Sequence, residues 1–326
     1  MKIFTYNYRD DESKFYDQFC KVYDVELGIS RDYPSLDNAE LARGYEGLSV
    51  LVSDMNAELL QKFYDVGVRY ITTRSVGFEH FDLKKAKELG LKISTVAYSP
   101  STVANYAIML MLMCCRKAKY IFESSGIQDF SLNGKRGVEL SDRTIGIIGT
   151  GKIGSTVIKH LSGFGCKLIA YDVYQSEEVK KYAEYVSLDQ LLKTADILSF
   201  HVPPREDTYH LINEESLKTM KDGVIIINTA RGPLIDSEAL IKGIESGKVG
   251  AAGLDVVEKE FGLYYVNLAS QVIDNRELAI LKSFPNVIVT PHTAFYTDEA
   301  ISEIIENAIK GCCLFAEGKA NPFEVA

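Results

Sequence analysis

Short apolar runs alternate with helical patterns along the first part of the chain. Between residue 1 and about residue 95, four runs have β character: Lys2 to Tyr6, Leu48 to Val52, Tyr70 to Thr73 and Lys92 to Thr95. Strands that alternate with helices indicate a parallel sheet flanked by helices. The pattern therefore predicts a first α/β unit.

The same alternation restarts at Thr144 with more strongly apolar strands. We predict strands at Thr144 to Ile148, Lys167 to Tyr171, Ile197 to Phe200, Val224 to Asn228 and Val287 to Thr290. They define a second, larger α/β unit. After His292, a helical pattern places five apolar residues on one face: Ile301, Ile304, Ile305, Ala308 and Ile309. This helix could return to the first unit, which would then be discontinuous in sequence.

The longest apolar run, Ala107 to Cys115, follows Ser99-Pro100-Ser101 and is closed by Arg116 and Lys117. Nine residues are too few to cross a bilayer. A helix that is apolar on most sides is typical of a position between layers or in a subunit contact. We therefore expect no membrane association and a homodimer.

Composition narrows the classes of function. A chain of 326 residues that is 46% hydrophobic can form two domains with real cores. A net charge of −9 argues against nucleic-acid binding, which depends on clustered Lys and Arg, and favours a small-molecule partner. The six cysteines show no metal-ligand spacing, so we expect free thiols, no metal and a cytoplasmic location.

A glycine-rich turn follows the strand at Thr144. The motif Gly149-Thr-Gly151-Lys-Ile-Gly154 stands directly after an apolar strand and before a helical pattern, Ser155 to Phe164. Gly149 permits a tight turn, Gly151 lets the backbone approach a pyrophosphate, and Gly154 lets helix and strand pack closely. This context predicts a dinucleotide site.

The acidic residue that follows the next strand selects the cofactor. Asp172 ends the strand Lys167 to Tyr171 and lies 23 residues beyond Gly149. A carboxylate there accepts hydrogen bonds from ribose hydroxyls and repels a 2′-phosphate, so NAD is favoured over NADP.

Polar residues at the ends of later strands supply candidates for the chemistry. Arg231 follows the strand Val224 to Asn228 and could grip a carboxylate with two parallel hydrogen bonds. His292 follows the strand that ends at Thr290. An imidazole there could exchange the proton that accompanies hydride transfer. Three carboxylates, Asp255, Glu258 and Glu260, follow a run of small residues, and one of them could orient a histidine.

The other four histidines are weaker candidates. His80 lies in a predicted loop, His160 in a predicted helix, and His210 is interpreted as a loop residue. His201 begins the turn His201-Val202-Pro203 after a strand, so we expect its backbone, rather than its imidazole, to line the adenosine side of the cofactor.

Together these motifs resemble the D-2-hydroxyacid dehydrogenase family, most closely its D-lactate dehydrogenase branch, which includes the vancomycin-resistance enzymes. The resemblance covers nearly the whole chain. It rests on Arg74-Ser-Val76-Gly77-Phe-Glu-His-Phe-Asp82, Val96-Ala-Tyr98-Ser-Pro100, Gly149 to Gly154, His201-Val202-Pro203, Asn228-Thr229-Ala230-Arg231-Gly-Pro233, Leu254-Asp255-Val256 and Pro291-His292-Thr-Ala294-Phe295-Tyr296-Thr.

The resemblance implies a Rossmann NAD-binding domain at residues 99–296, inserted in a flavodoxin-like substrate domain of residues 1–98 and 297–326. The active site would lie in the cleft between them. Arg231 would bind the substrate carboxylate, His292 would be the acid/base and Glu260 its partner. Expected substrate contacts are Val76, Gly77, Tyr98 and Phe295; expected cofactor contacts are Gly149, Gly151, Lys152, Ile153, Gly154, Asp172, His201, Val202, Pro203, Thr229, Ala230 and Asp255, the last on the nicotinamide carboxamide.

The side chain of the substrate stays open. Pyruvate is the first choice, but Phe295 and Leu51 stand where some relatives carry tyrosine or another aromatic residue, so larger apolar or aromatic keto acids such as phenylpyruvate or 2-ketoisocaproate remain alternatives. Formate enzymes of this architecture pair the histidine with Gln, whereas Glu260 is expected here. An NADH-sensing scaffold is a further alternative, and residues 261–266 could form a lid or pack on the surface.

Overall fold

The computed structural model describes residues 1–260 and 262–326. The chain divides into two compact units, one formed by Met1–Ser99 with Tyr296–Ala326 and the other by Pro100–Phe295. Each boundary lies one residue from the one implied by the family resemblance. Within the described ranges, no helix is long and apolar enough to cross a membrane.

The first unit is built on a five-stranded parallel sheet. Its strands are β1 (Lys2–Thr5), β2 (Glu26–Ile29), β3 (Gly47–Val50), β4 (Tyr70–Thr73) and β5 (Lys92–Ser94), and its first helices are α1 (Ser13–Val22), α2 (Ala57–Asp65) and α3 (Leu83–Leu89). The strand order is β2-β1-β3-β4-β5, the flavodoxin-like arrangement. Strand β2 was not predicted, because it is a short edge strand whose residues are mostly accessible.

The second unit is built on a seven-stranded parallel sheet. Its strands are β6 (Thr144–Ile148), β7 (Lys167–Tyr171), β8 (Glu184–Tyr185), β9 (Ile197–Phe200), β10 (Val224–Asn228), β11 (Val249–Leu254) and β12 (Val287–Val289). Its helices are α4 (Pro100–Cys115), α5 (Ala118–Gly126), α6 (Lys152–Leu161), α7 (Leu188–Thr194), α8 (Glu214–Thr219), α9 (Ser237–Glu245) and α10 (Arg276–Ser283).

The order β12-β11-β10-β9-β6-β7-β8 is that of a doubly wound Rossmann sheet with one additional strand. Both faces of this sheet are covered. Ile226 of β10 belongs to one core cluster, and its neighbours Ile225 and Ile227 belong to the other. The predicted apolar helix is α4, which packs on α6, β10 and β11. The chain changes direction between β6 and β9, and the carboxyl ends of strands beside such a switch point form the usual ligand site.

The last helix, α11 (Asp298–Ala316), belongs to the first unit and packs on α1, β3 and β4. Its five predicted apolar residues, Ile301, Ile304, Ile305, Ala308 and Ile309, are all buried. The expected helix is thus confirmed, and the first unit is discontinuous in sequence.

Candidate active site

The glycine-rich turn joins β6 to α6 at the carboxyl edge of the larger sheet. Gly149 has φ of +92°, and a Cβ there would lie 2.5 Å from the carbonyl oxygen of His201. At Gly154 a Cβ would lie 1.9 Å from the carbonyl oxygen of Gly149. A Cβ at Gly151 would meet no atom within 4 Å, so space is open above this backbone. Lys152 and Ile153 open α6, whose first N–H groups have no acceptor inside the helix. The turn therefore fits a pyrophosphate.

Asp172 lies directly after β7 and faces this turn. One carboxylate oxygen accepts hydrogen bonds from the amide of Thr150 (2.6 Å) and from its hydroxyl (3.1 Å), and the other accepts from the amide of Tyr174 (3.0 Å). Burial alone would raise the pKa of Asp172, but the hydrogen bonds from Tyr174 and Thr150 outweigh it and hold this pKa below its usual value. The group is therefore a carboxylate at neutral pH, as NAD selection requires.

The turn after β9 carries His201, Val202 and Pro203 beside the glycines. The Nε2 atom of His201 lies 2.9 Å from the hydroxyl of Ser199. Protein atoms surround the imidazole although part of the residue reaches the surface, and burial lowers the pKa of His201 to about 3. A ring that stays neutral in this way is a poor proton donor.

The turn after β10 offers further polar groups. The amide of Ala230 donates to the side-chain oxygen of Asn228 (3.0 Å), while the buried hydroxyl of Thr229 has no hydrogen-bond partner among the described residues. Buried polar atoms are normally paired, so this hydroxyl fits the edge of a polar ligand. It is a second observation, besides the space at Gly151, that suits a bound dinucleotide.

Arg231 follows on the same turn and is half-buried. Its backbone carbonyl accepts a hydrogen bond from the side-chain Nδ2 of Asn228 (2.8 Å), and its own Nη1 donates to the carbonyl of Ala230 (2.8 Å). These bonds fix the start of the side chain and one guanidinium nitrogen. Guanidinium carries five donors in a planar fork, the geometry that binds a carboxylate through two parallel hydrogen bonds.

The structure pairs Glu260 with His292. Glu260 Oε1 lies 2.8 Å from Nδ1 of His292, and Oε2 accepts from the amide of Val257 (3.1 Å). A carboxylate can only accept, so Nδ1 carries the proton of this bond and Nε2 faces away from the pair. An imidazole held in this way can give or take a proton at Nε2.

Asp255 supports the turn that carries His292. The side chain is fully buried and accepts hydrogen bonds from the Thr290 hydroxyl (2.6 Å) and from the amides of Thr293 (2.9 Å) and Ala294 (2.9 Å). Its backbone carbonyl accepts from the amide of His292 (2.8 Å). Asp255 is expected to bind the nicotinamide carboxamide. The hydrogen bonds of its side chain and backbone hold the turn that carries His292, a role that the sequence did not indicate.

The residues of the first unit that are expected to contact the substrate follow β4 and β5. Val76 and Gly77 follow β4 in a loop closed by the hydroxyl of Ser75, which donates to the carbonyl of Gly77 (2.7 Å). Val76 is exposed and Tyr98 is half-buried. Phe295, the last residue of the second unit, has its ring 6.4 Å from that of His292 in an edge-on arrangement.

A second imidazole–carboxylate pair was not foreseen. His210, interpreted as a loop residue, has Nε2 2.7 Å from Oε1 of Glu258, and Oε2 of the same carboxylate accepts from the amide and hydroxyl of Ser237. Tyr209 stacks on the His210 ring at 4.0 Å. The sequence signal for this pair was the cluster of three carboxylates, Asp255, Glu258 and Glu260, because Glu258 and Glu260 each contact a histidine.

Residues 261–266 are expected either to form a lid over the site or to pack on the surface. Phe261 lies outside the described residues. Leu263 and Tyr264 pack partly against the core of the second unit, and the Tyr265 hydroxyl donates to the backbone carbonyl of His292 (2.9 Å). In this structure the described part of the segment therefore packs beside the histidine.

Comparison with known proteins identifies the family of the chain. Residues 108–294 match the model of the D-isomer specific 2-hydroxyacid dehydrogenase NAD-binding domain. The chain is 45% identical to the aromatic 2-oxoacid reductase of Clostridium sporogenes (94% of this chain, 93% of that protein) and 40% identical to the D-lactate dehydrogenase of Lactiplantibacillus plantarum (98% of each). It superposes with a TM-score of 0.85 on the NAD-complexed D-isomer specific 2-hydroxyacid dehydrogenase of Lactobacillus delbrueckii ssp. bulgaricus, covering all of both chains at 30% identity.

A Rossmann sheet, a glycine turn with an acidic partner, and an arginine and histidine at the same edge define an NAD-dependent dehydrogenase. The chain belongs to the D-2-hydroxyacid dehydrogenase family, in the branch that holds the D-lactate and D-specific alpha-keto acid dehydrogenases. It interconverts a 2-keto acid and its D-2-hydroxy acid by hydride transfer with NAD. The expected fold class, cofactor and enzyme class are confirmed, and a scaffold without turnover is not supported.

Proposed function

We propose that Arg231, Glu260 and His292 carry the reaction. The observation that supports this most directly is the 2.8 Å pair between Glu260 and His292 on the second unit, which also carries Arg231 after β10. The guanidinium of Arg231 binds the substrate carboxylate and stabilises the negative charge that develops on the C2 oxygen. The amides of Val76 and Gly77 and the hydroxyl of Tyr98 are further proposed donors to that carboxylate.

Bound NADH supplies the hydride to C2 of the keto acid. The residues of the chain handle the proton: His292, protonated at both nitrogens, gives its Nε2 proton to the forming alkoxide and retains the Nδ1 proton shared with Glu260. In the oxidative direction, neutral His292 takes the hydroxyl proton. The Glu260 carboxylate stabilises the imidazolium and fixes the ring.

We propose that Gly149, Gly151, Gly154 and the first turn of α6 hold the pyrophosphate, and that Asp172 binds the adenosine ribose. The turn of His201 to Pro203 lines the adenosine side, and Thr229, Ala230 and Asp255 serve the nicotinamide end. The open space at Gly151 supports the pyrophosphate assignment, and the Thr229 hydroxyl, which has no hydrogen-bond partner among the described residues, supports the nicotinamide assignment.

Pyruvate is the proposed substrate, with D-lactate as product. The likeness that supports it is to the D-lactate dehydrogenase of L. plantarum, which spans 98% of the chain. A second candidate is a larger aromatic or branched keto acid. It is favoured by the 45% identity to an aromatic 2-oxoacid reductase. Two apolar residues, Leu51 and Phe295, also stand at positions expected to lie near the side chain of the substrate.

The test is NADH oxidation at 340 nm with pyruvate, 2-ketoisocaproate, phenylpyruvate, oxaloacetate and glyoxylate in parallel, with NADPH as the cofactor control. A kcat/KM led by pyruvate supports the first candidate, and one led by phenylpyruvate or 2-ketoisocaproate supports the second. Preference for NADPH would contradict the role of Asp172.

We further propose that the protein is a homodimer joined through the second unit. Four large apolar side chains are strongly exposed on α5 and in the six residues after it: Phe122, Ile127, Phe130 and Leu132. Several exposed apolar side chains within one short segment are typical of an interface, and a second copy is the occupant we propose. Light scattering should give twice the chain mass of 36.3 kDa. Phe130→Glu should yield monomer, while Val272→Glu, at another exposed apolar position, should leave the dimer intact.

A cytoplasmic location is also proposed, because all six cysteines are free thiols that are buried or half-buried, as in proteins of reducing compartments. Fractionation of producing cells, with a cytoplasmic marker enzyme as control, tests this. Recovery of the protein outside that fraction would contradict it.

A further inference from the structure

The acid/base histidine sits in an unusual backbone conformation. His292 has φ of +53°, in the left-handed region that residues other than glycine adopt rarely and at a cost. Such a conformation persists only where the surroundings hold it. The contacts that hold this turn are therefore part of how the imidazole is aimed.

Contacts from two sides hold the turn. On the amide side, the His292 N–H donates to the carbonyls of Asp255 (2.8 Å) and Thr290 (3.0 Å). On the carbonyl side, the hydroxyl of Tyr265 donates to the His292 oxygen at 2.9 Å. Tyr265 is 27 positions away in sequence, so this contact ties the segment after Glu260 to the histidine.

The rings reinforce the same contact. The ring of Tyr265 lies 6.2 Å from the imidazole of His292 and 6.4 Å, edge-on, from Phe295, which is itself edge-on to His292 at 6.4 Å. These separations are within the range of favourable aromatic pairs. Tyr265 therefore contacts the histidine through both its hydroxyl and its ring.

The neighbouring tyrosine provides a contrast within the same segment. The hydroxyl of Tyr264 is buried and has no hydrogen-bond partner among the described residues. Burial raises the pKa of Tyr264, and the charges of Glu260 and Asp255 raise it further, so the group stays neutral. Of two adjacent tyrosines, Tyr265 thus donates its hydroxyl to the histidine turn, while the Tyr264 hydroxyl finds no acceptor in the described part of the chain.

We propose that Tyr265 is a positioning residue for His292: its hydroxyl holds the left-handed turn so that Nδ1 stays on Glu260 and Nε2 points to the substrate oxygen. The inference rests on the proposed acid/base role of His292. It gives the segment after Glu260 a catalytic support function that is distinct from covering a site.

Replacing each tyrosine by phenylalanine tests this with one chemical change at adjacent positions. Tyr265→Phe should lower kcat for keto-acid reduction about 3- to 10-fold, the effect of one lost hydrogen bond, with the KM for keto acid changed less than about twofold. Tyr264→Phe should leave kcat within about twofold of the wild type, because the Tyr264 hydroxyl makes no hydrogen bond to any described residue. Both variants should keep the thermal midpoint and the NADH affinity of the parent.

A double variant shows whether Tyr265 acts through the histidine pair. In a Glu260→Gln background the pair is already weakened, so adding Tyr265→Phe should cost clearly less than it does in the wild type. Full multiplication of the two effects, an unchanged kcat in Tyr265→Phe, or an equal loss in Tyr264→Phe would overturn the inference. Failure of the proposed function looks different, because His292→Ala would then retain normal activity.

Discussion

Glu260 and His292, 32 positions apart in sequence, meet with Oε1 and Nδ1 at 2.8 Å, while Oε2 of the same carboxylate is held by the amide of Val257. The carboxylate is therefore anchored at one oxygen and orients the imidazole with the other. Nε2 is the atom that we propose exchanges a proton with the substrate oxygen.

This geometry predicts that the same Glu-to-Gln substitution has different effects at two nearby positions. Glu260→Gln keeps the shape but loses the charge that stabilises the imidazolium, so kcat for reduction should fall about 10- to 100-fold. Glu258→Gln removes the charge from the His210 pair and should keep kcat within about threefold while reducing stability. Steady-state kinetics and thermal melts on both variants decide this, and equal losses of kcat would refute the distinct roles.

Removal of the guanidinium of Arg231 should reduce both affinity and turnover. Arg231→Ala loses the carboxylate contact and the stabilised charge on the C2 oxygen, so kcat/KM should drop about 10²- to 10⁴-fold. Arg276→Ala, which breaks an exposed ion pair with Glu238, is the control and should be nearly silent. Normal activity of Arg231→Ala would remove this residue from the mechanism.

Two glycines of the nucleotide turn should respond differently to alanine. At Gly154 the new Cβ would lie 1.9 Å from the Gly149 carbonyl oxygen, so the variant should lose stability as well as NADH binding. At Gly151 the Cβ meets no protein atom, so the fold should be kept while NADH affinity falls at least about 10-fold, because the methyl enters the space for the pyrophosphate. Melting curves with NADH titrations separate these cases. Unchanged affinity in Gly151→Ala would contradict the pyrophosphate site.

His201 should make the protein sensitive to mild acid. Its folded pKa is lowered to about 3, below the usual 6.5, so the unfolded chain binds the extra proton first. Stability from this source is complete above about pH 6.5 and is lost progressively as pH falls toward 3, by about 1–2 kcal/mol at pH 5. Urea unfolding of wild type and His201→Gln at pH 7.5 and 5 tests this. The difference in unfolding free energy between the two pH values should be smaller in the variant; an equal difference would contradict it.

The sequence predicted the elements that show a continuous apolar run or a clear apolar face. Strand β10, five buried residues, and the apolar face of α11 were both foreseen. Strand β8 was missed because it has two residues, Glu184 and Tyr185, at the edge of the sheet. Strand β11 was not predicted, because Gly250-Ala-Ala-Gly253 is a run of small residues without the branched side chains that are typical of strands.

Candidate site residues that stand in motifs can be named from the sequence, whereas contacts made by the tertiary structure cannot. His292 and Arg231 follow strands, and the glycine turn has its own spacing. The His210–Glu258 pair joins residues 48 positions apart, and the bond from Tyr265 to the His292 carbonyl depends on a loop without a motif. No local pattern encodes such contacts.

The measurement that tests the central claim most directly is the chirality of the product. Wild type and His292→Ala would be incubated with NADH and either pyruvate or phenylpyruvate, and the hydroxy acid resolved by chiral chromatography. We expect the wild type to form the D-hydroxy acid in proportion to the NADH consumed, and His292→Ala to be at least about 100-fold slower. Formation of the L-acid, or undiminished turnover without the imidazole, would contradict the proposed chemistry.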